Sequence, residues 1–272
     1  MSHQQSLADT VAFVTGGGRG LGLDIAHELA SKGVHVFITG RTRETLEPAA
    51  GSCRAMGVKS AFAEVDVTDQ AGMTEAVNQC ESLLGPIDLL INNAGIGAHG
   101  PIADCDVDEW WRVMEVNVKG PLISCRAVLP GMLARGSGRI INMGSYQAFL
   151  PAPIVSSYAT SKAALMRMTD SMAEEAVEHG VIVLALSPGF VRTDMGLHAE
   201  QVMKAMVPDF EGFPSEFTFE SDAIAKLICR VAAGEADAFH GRMLHVRNDL
   251  DGLIAETDTI LRENRFAMVF ND

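Results

Sequence analysis

The chain has 272 residues, 47% of them hydrophobic and 21% charged, which is ample material for a core and leaves no compositional case for disorder outside residues 1–5. A formal net charge of −14 argues against a nucleic-acid partner, since backbone phosphates need a basic stripe, whereas a small anion needs only a local positive pocket. Cys53, Cys80, Cys105, Cys125 and Cys229 are odd in number and form no CxxC pair, so neither a disulfide framework nor a metal site is signalled.

No signal-peptide order opens the chain and no apolar run is long enough to span a bilayer, so a soluble, cytoplasmic protein with no membrane partner is expected. The pattern alternates between strand and helix. Strands are predicted over 10–15, 34–39, 58–65, 87–92, Gly138–Met143 and 181–186, with helices over 21–31, 43–56 and 110–118. Such alternation implies an α/β fold: a doubly wound parallel sheet between two helical layers, as in the Rossmann fold. No linker marks a boundary, so 1–272 reads as a single domain.

Two stretches break the rhythm. Residues 195–219 are rich in Met and Phe, carry Pro208 and Pro214, and read as an insertion outside the sheet, a candidate substrate lid. Its Met195, Leu197, Met203, Met206, Val207, Phe210 and Phe213 suit either a bulky apolar substrate or ordinary packing. Beyond the last predicted strand, over 241–247, an atypical extension occupies 248–272. It has helical spacing over 250–261 and a short apolar tail over 266–270.

The first strand runs into Thr15-Gly16-Gly17-Gly18-Arg19-Gly20-Leu21-Gly22. Glycines there permit a tight turn and close approach of backbone to a pyrophosphate, and the following helix offers unpaired N–H groups to it. The spacing alone is a weak signal; its place between first strand and first helix is what points to a dinucleotide. Tyr158 and Lys162 are four apart and so share a helix face. A neighbouring ammonium lowers a phenol's pKa, making the pair a proton donor to a carbonyl or acceptor from an alcohol. Ser145, just past a strand, is placed to bond the same oxygen, and Asn117 is a mediocre helix former inside a predicted helix. Lone histidines such as His99 and His198 are expected to be bystanders.

Together these motifs, with Asn92-Asn93-Ala94-Gly95 and Pro188-Gly189 followed by Thr193, resemble the single-domain short-chain dehydrogenase/reductase family over about 7–195. The resemblance implies an oxidoreductase moving a hydride between a nicotinamide cofactor and a small carbonyl or alcohol substrate. Tyr158 would be the acid/base, Lys162 would lower its pKa and bind ribose, Ser145 would polarise the carbonyl, and Asn117 would hold a water in a proton relay. It also implies cofactor contacts from Gly16, Gly18, Arg19, Gly20, Leu21, Asp66, Val67, Asn93, Ala94, Gly95, Pro188, Gly189, Val191 and Thr193. Asn92 would brace the sheet.

Gly40 stands where the family's NAD-using members carry an acid, and Arg41 follows it, with Arg19 nearby. Two guanidiniums suit a 2′-phosphate, so NADP(H) is the expected cofactor, with NAD(H) as the alternative. A non-catalytic dinucleotide sensor would have lost the Tyr/Lys pair, and a nucleotide-sugar epimerase would want a larger C-terminal substrate domain. A homo-oligomer is expected, although the extension after 248 departs from the tail that relatives use to assemble.

Overall fold

A computed structural model describes residues 6–268; the disorder expected at 1–5, and the Val269 and Phe270 of the expected tail, lie outside the described residues. The first half comprises β1 (Val11–Thr15), α1 (Gly20–Ser31), β2 (His35–Gly40), α2 (Arg43–Ala55), β3 (Ser60–Glu64), α3 (Gln70–Leu84) and β4 (Leu89–Asn92). Next come α4 (Val107–Met114), a π turn over Glu115–Lys119, α5 (Gly120–Arg135), β5 (Gly138–Met143), α6 (Ser156–Ala176) and β6 (Val181–Ser187). The last part holds β7 (Phe190–Val191), α7 (Asp194–Met206), β8 (Thr218–Phe219), α8 (Ser221–Ala232), β9 (Met243–His245), α9 (Leu250–Ala255) and α10 (Thr257–Arg262).

Seven strands form one parallel sheet in the order β3-β2-β1-β4-β5-β6-β9. Both faces are covered by helices, which is why β1 and β6 read as continuous apolar runs instead of alternating ones. In β1, Ala12 and Val14 point into one buried cluster, while Val11 and Phe13 point into the other, where Phe13 stacks on Phe37 at 5.4 Å. The strand order reverses between β1 and β4, which pair directly (Ala12↔Leu89, Val14↔Ile91). Loops leaving those two strands diverge and open a crevice at their carboxyl ends.

The strands expected over 58–65, 87–92 and 241–247 are shorter, at Ser60–Glu64, Leu89–Asn92 and Met243–His245, and two helical expectations change in extent. The helix expected over 110–118 starts at Val107, because Asp106 caps it by accepting from the amides of Asp108 and Glu109. It runs on through the π turn into α5. The helical spacing over 250–261 resolves into α9 and α10, broken at Glu256 (φ −103°, ψ 13°). Segment 195–219 lies outside the main sheet, as a helix followed by an irregular return. Its end pairs with β7 (Phe190↔Thr218, Val191↔Phe219), so the excursion is closed at its base.

Four of the five free cysteines are buried, and burial pushes the thiols of Cys125 and Cys229 up to about 12, leaving them inert packing groups. Among the described residues no helix is long and apolar enough to cross a membrane, and no cluster of three His, Cys, Asp or Glu could hold a metal ion.

Candidate active site

The turn after β1 has the backbone that its glycines permit. Gly16 (φ 68°) and Gly20 (φ 53°) adopt left-handed conformations, and a Cβ added at Gly22 would stand 2.1 Å from the Gly16 carbonyl oxygen. At Gly18 a Cβ would meet Thr45 Oγ1 at 2.7 Å. Helix α1 begins at Gly20 with Arg19 as its N-cap and no side-chain cap bond, so its first N–H groups remain available to an anion, with Leu21 beside them.

The loop after β4 is stitched to this turn. The Thr15 hydroxyl accepts from the amides of Asn93 and Ala94 at 3.0 Å, and Asn93 Nδ2 donates to the carbonyls of Thr15 (3.0 Å) and Gly16 (3.3 Å). Asn92 points into the core instead. Its Nδ2 donates to Asn142 Oδ1 (2.8 Å), its Oδ1 accepts from Ser124, and Asn142 donates on to Thr169 Oγ1 (2.8 Å). This buried polar chain ties α5, β4, β5 and α6 together, and removing one member would cost about 1–3 kcal/mol through the partner left unpaired. Sequence reading missed Asn142 and Ser124; the available signal was an asparagine inside the otherwise apolar run Gly138–Met143.

Tyr158 and Lys162 lie on α6, one turn apart, with Lys162 Nζ 5.4 Å from the centroid of the tyrosine ring. Ser145, just beyond β5, faces the Tyr158 phenol and favours its ionised form. Its oxygen also accepts from the Gln147 amide, which fixes the turn. Lys162 is buried and donates to the Met143 carbonyl at 2.8 Å.

One expectation needs correction. Burial pushes the Tyr158 phenol above its ordinary pKa, and the opposing influence is Ser145, not Lys162. The lysine's own ammonium is drawn toward neutrality, down to about 8, by the same burial, which weakens its hold on a phenolate.

Asn117 sits in the π turn, fully buried. Its Oδ1 accepts from the Ile96 amide, and its Nδ2 donates to the Ile96 carbonyl and to Ser161 Oγ, all at 2.9 Å. Ser161 in turn donates to the Tyr158 carbonyl at 2.7 Å. Asn117 thus clamps the loop after β4 to the helix that carries Tyr158, and Gly95 packs between (a Cβ there would lie 3.2 Å from Asn117 Oδ1). Ser161 was not singled out in the sequence, and serine in a helix carries no signal of its own.

On the far side of the crevice, Asp66 accepts from the Thr68 amide and hydroxyl and from Arg112 at 2.7 Å. Burial opposes its charge, but these bonds outweigh it and hold the carboxyl below its ordinary pKa. Val67 beside it is buried against Gly120. Arg41, after Gly40, is exposed and has no ion-pair partner among the described residues. Arg19 is different, with its Nη1 3.1 Å from Asp194 Oδ2. Pro188 and Gly189 (φ 70°) turn the chain out of β6, and Gly189 abuts Phe219. Val191 and Thr193 then line a cleft shared with Gly20 and Phe219, and Thr193 caps α7 by accepting from the Gly196 amide.

The sequence profile of the short chain dehydrogenase family matches residues 10–203. A short chain dehydrogenase of Pseudocercospora fijiensis is 40% identical over 195 residues, covering 71% of this chain and 63% of that one, so the match spans less than two thirds of that relative. Among solved structures, NAD+-bound xylitol dehydrogenase superposes with a TM-score of 0.83 at 26% identity, covering 89% of this chain and 98% of that one. L-sorbose reductase from Gluconobacter frateurii, complexed with NADPH and L-sorbose, gives 0.80 at 28% identity, covering 90% and 97%.

Proposed function

Given that this chain belongs to the short-chain dehydrogenase family, we propose that it is an NADP-preferring oxidoreductase that reduces a ketone or aldehyde, or runs the reverse oxidation of the alcohol. The observation that carries this reading is Tyr158 facing Ser145, with the buried Lys162 Nζ 5.4 Å from its ring, at the carboxyl end of β5.

The residues present fit a dinucleotide. A backbone cradle that side chains at Gly18 or Gly22 would fill leads into a helix start without a side-chain cap. Gly16, Gly18, Gly20 and Leu21 would hold the pyrophosphate, and Asp66 and Val67 the adenine edge. Asn93, Ala94, Gly95 and Lys162 would hold the ribose side, and Pro188, Gly189, Val191 and Thr193 the nicotinamide carboxamide. When bound, the cofactor supplies or accepts the hydride at the substrate carbon.

The chain's own residues handle the oxygen. Ser145 donates to the carbonyl oxygen and polarises it, and Tyr158 delivers the proton that the oxygen needs as the carbon is reduced. A lysine that titrates near 8 can give and regain a proton close to neutral pH, which suits it to recharging the tyrosine. Both amide hydrogens of Asn117 are spent on Ile96 and Ser161, so any water that it holds for the relay would meet its main-chain carbonyl.

Arg41, unpaired among the described residues and beside Gly40, favours the 2′-phosphate. The Arg19–Asp194 pair is the observation that favours the second reading, an NAD-dependent alcohol dehydrogenase, because it already occupies one of the two cations. Segment 195–219 would act as the lid. Val107, Trp111 and Leu122 expose apolar area on α4 and α5, which supports a homo-oligomer, checked by solution mass. The function is tested by offering aldehydes, ketones and alcohols with each cofactor and following absorbance of the reduced nicotinamide. Absence of hydride transfer with every substrate would refute it.

A further inference from the structure

Two imidazoles meet beside the Tyr158 site. His99 lies in the loop after β4 and His198 on α7, and their ring centroids are 5.7 Å apart at 81°. The loop is held against the segment before α6, where the Gly100 amide donates to the Ile154 carbonyl at 2.7 Å. Ile154 itself has φ 61°, a costly conformation for a β-branched residue. Gly97 sets the relation to the tyrosine: a Cβ there would lie 3.8 Å from His99 Cε1 and 3.9 Å from Tyr158 Cδ2, so the two rings flank one point.

Neither imidazole has a hydrogen-bond or ion-pair partner among the described residues. His27, His240 and His245 differ: His27 bonds Ser52, His240 joins the Val183 amide to the Ala173 carbonyl, and His245 accepts from the Arg247 amide. Burial, then proximity to His198, lowers the pKa of His99. The lid's phenylalanines, by contrast, are spent on packing: Phe213 stacks on Phe190 at 4.1 Å and meets Phe210 edge-on at 5.2 Å.

We propose that His99 and His198 are specificity-determining residues that receive hydroxyl groups flanking the reacting carbon, which makes the substrate a polyhydroxylated ketone or the corresponding polyol. The inference rests on Tyr158 as the acid/base. An imidazole ring presents two nitrogens for hydrogen bonds with hydroxyl groups, and the pair, in edge-to-face contact, offers two such rings side by side, with His99 next to the Tyr158 ring. A substrate without hydroxyls would close the lid over unpaired ring nitrogens, at a cost of about tenfold or more in affinity.

The test compares erythrulose with 2-butanone, which share a four-carbon skeleton, at saturating cofactor. The wild type should favour erythrulose by roughly a hundredfold or more in kcat/KM, as sites built to bond a hydroxyl do. Replacing both residues by phenylalanine keeps the rings and removes the nitrogens. The His99→Phe/His198→Phe enzyme should lose at least about tenfold of that preference, chiefly through KM for erythrulose. His99→Gln/His198→Gln, which restores a donor and an acceptor, should regain most of it, and NADPH titration reports whether each variant is folded. A preference ratio in the phenylalanine variant within about twofold of wild type overturns the proposal. Turnover of 2-butanone alone also overturns it and leaves the reductase reading standing; turnover of neither ketone overturns it too, whereas the reductase reading falls only if no aldehyde, ketone or alcohol of the wider screen is turned over.

Discussion

Arg19 Nη1 lies 3.1 Å from Asp194 Oδ2, joining the glycine turn after β1 to the first residue of α7, with both side chains largely exposed. The pair connects cofactor preference to the segment proposed as a lid, because one guanidinium serves two anions. An exposed ion pair of this kind contributes about 0–1 kcal/mol, little enough for a 2′-phosphate dianion to displace. Asp194→Asn should therefore strengthen NADPH binding by up to about fivefold, with NADH binding nearly unchanged. Fluorescence titration with both cofactors reads this. Hydrogen exchange over 194–206 should rise in the same variant as the lid loses its tether, and fall when cofactor and substrate bind.

The second prediction concerns Gly40 and Arg41. A Cβ at Gly40 would lie 3.2 Å from Leu46 Cδ2, the end of a flexible side chain, so an acid can be accommodated there. Each charge-assisted bond to a phosphate contributes about 1.5–3 kcal/mol, less where salt screens it. Gly40→Asp with Arg41→Ala should move the ratio of kcat/KM values from NADP toward NAD by roughly tenfold or more. An unmodified enzyme that already prefers NAD would refute the arginine reading.

Tyr158→Phe should lower kcat by a factor of about 10² to 10⁴ while NADPH affinity stays within about threefold, since the ring remains and only the proton donor goes. Stopped-flow turnover beside equilibrium binding separates the two quantities. A loss of less than about tenfold would remove Tyr158 from the acid/base role.

The fourth prediction follows from the burial of Lys162, whose pKa falls from 10.5 to about 8 in the folded chain. Below pH 8 both states hold the proton and the cost of burying the charge is fully present. Between about 8 and 10.5 the unfolded chain binds more protons than the folded one, so stability rises with pH across that window. Lys162→Met should accordingly be more stable than the wild type at pH 7, by up to about 3 kcal/mol, with the advantage gone near pH 10.5. Thermal melts of both proteins at the two pH values check this.

Much of the fold was legible because a parallel sheet covered on both faces leaves short apolar runs at regular intervals, and each such run in β1 to β6 is a strand. Boundaries shifted where a cap decided them, as Asp106 did for α4. The π turn at Asn117 was not legible, because no local propensity separates it from an α-helix. Arg112 on Asp66 and Ser161 on Asn117 escaped notice for a related reason: each joins residues more than 40 positions apart.

The sequence by itself determined the chain's membership, its sheet and the residue types of its site, since glycine spacing, Tyr158 with Lys162, and strand periodicity are local properties that any fold must respect. Only the tertiary structure decided what those groups are bonded to. Ionisation states and hydrogen-bond allotment depend on which distant groups come within about 3 Å and on how much water they exclude. It is therefore the folded chain that raises Tyr158 in place of lowering it and ties Arg19 to Asp194. It also brings His99, expected to be a bystander, against His198 beside the tyrosine.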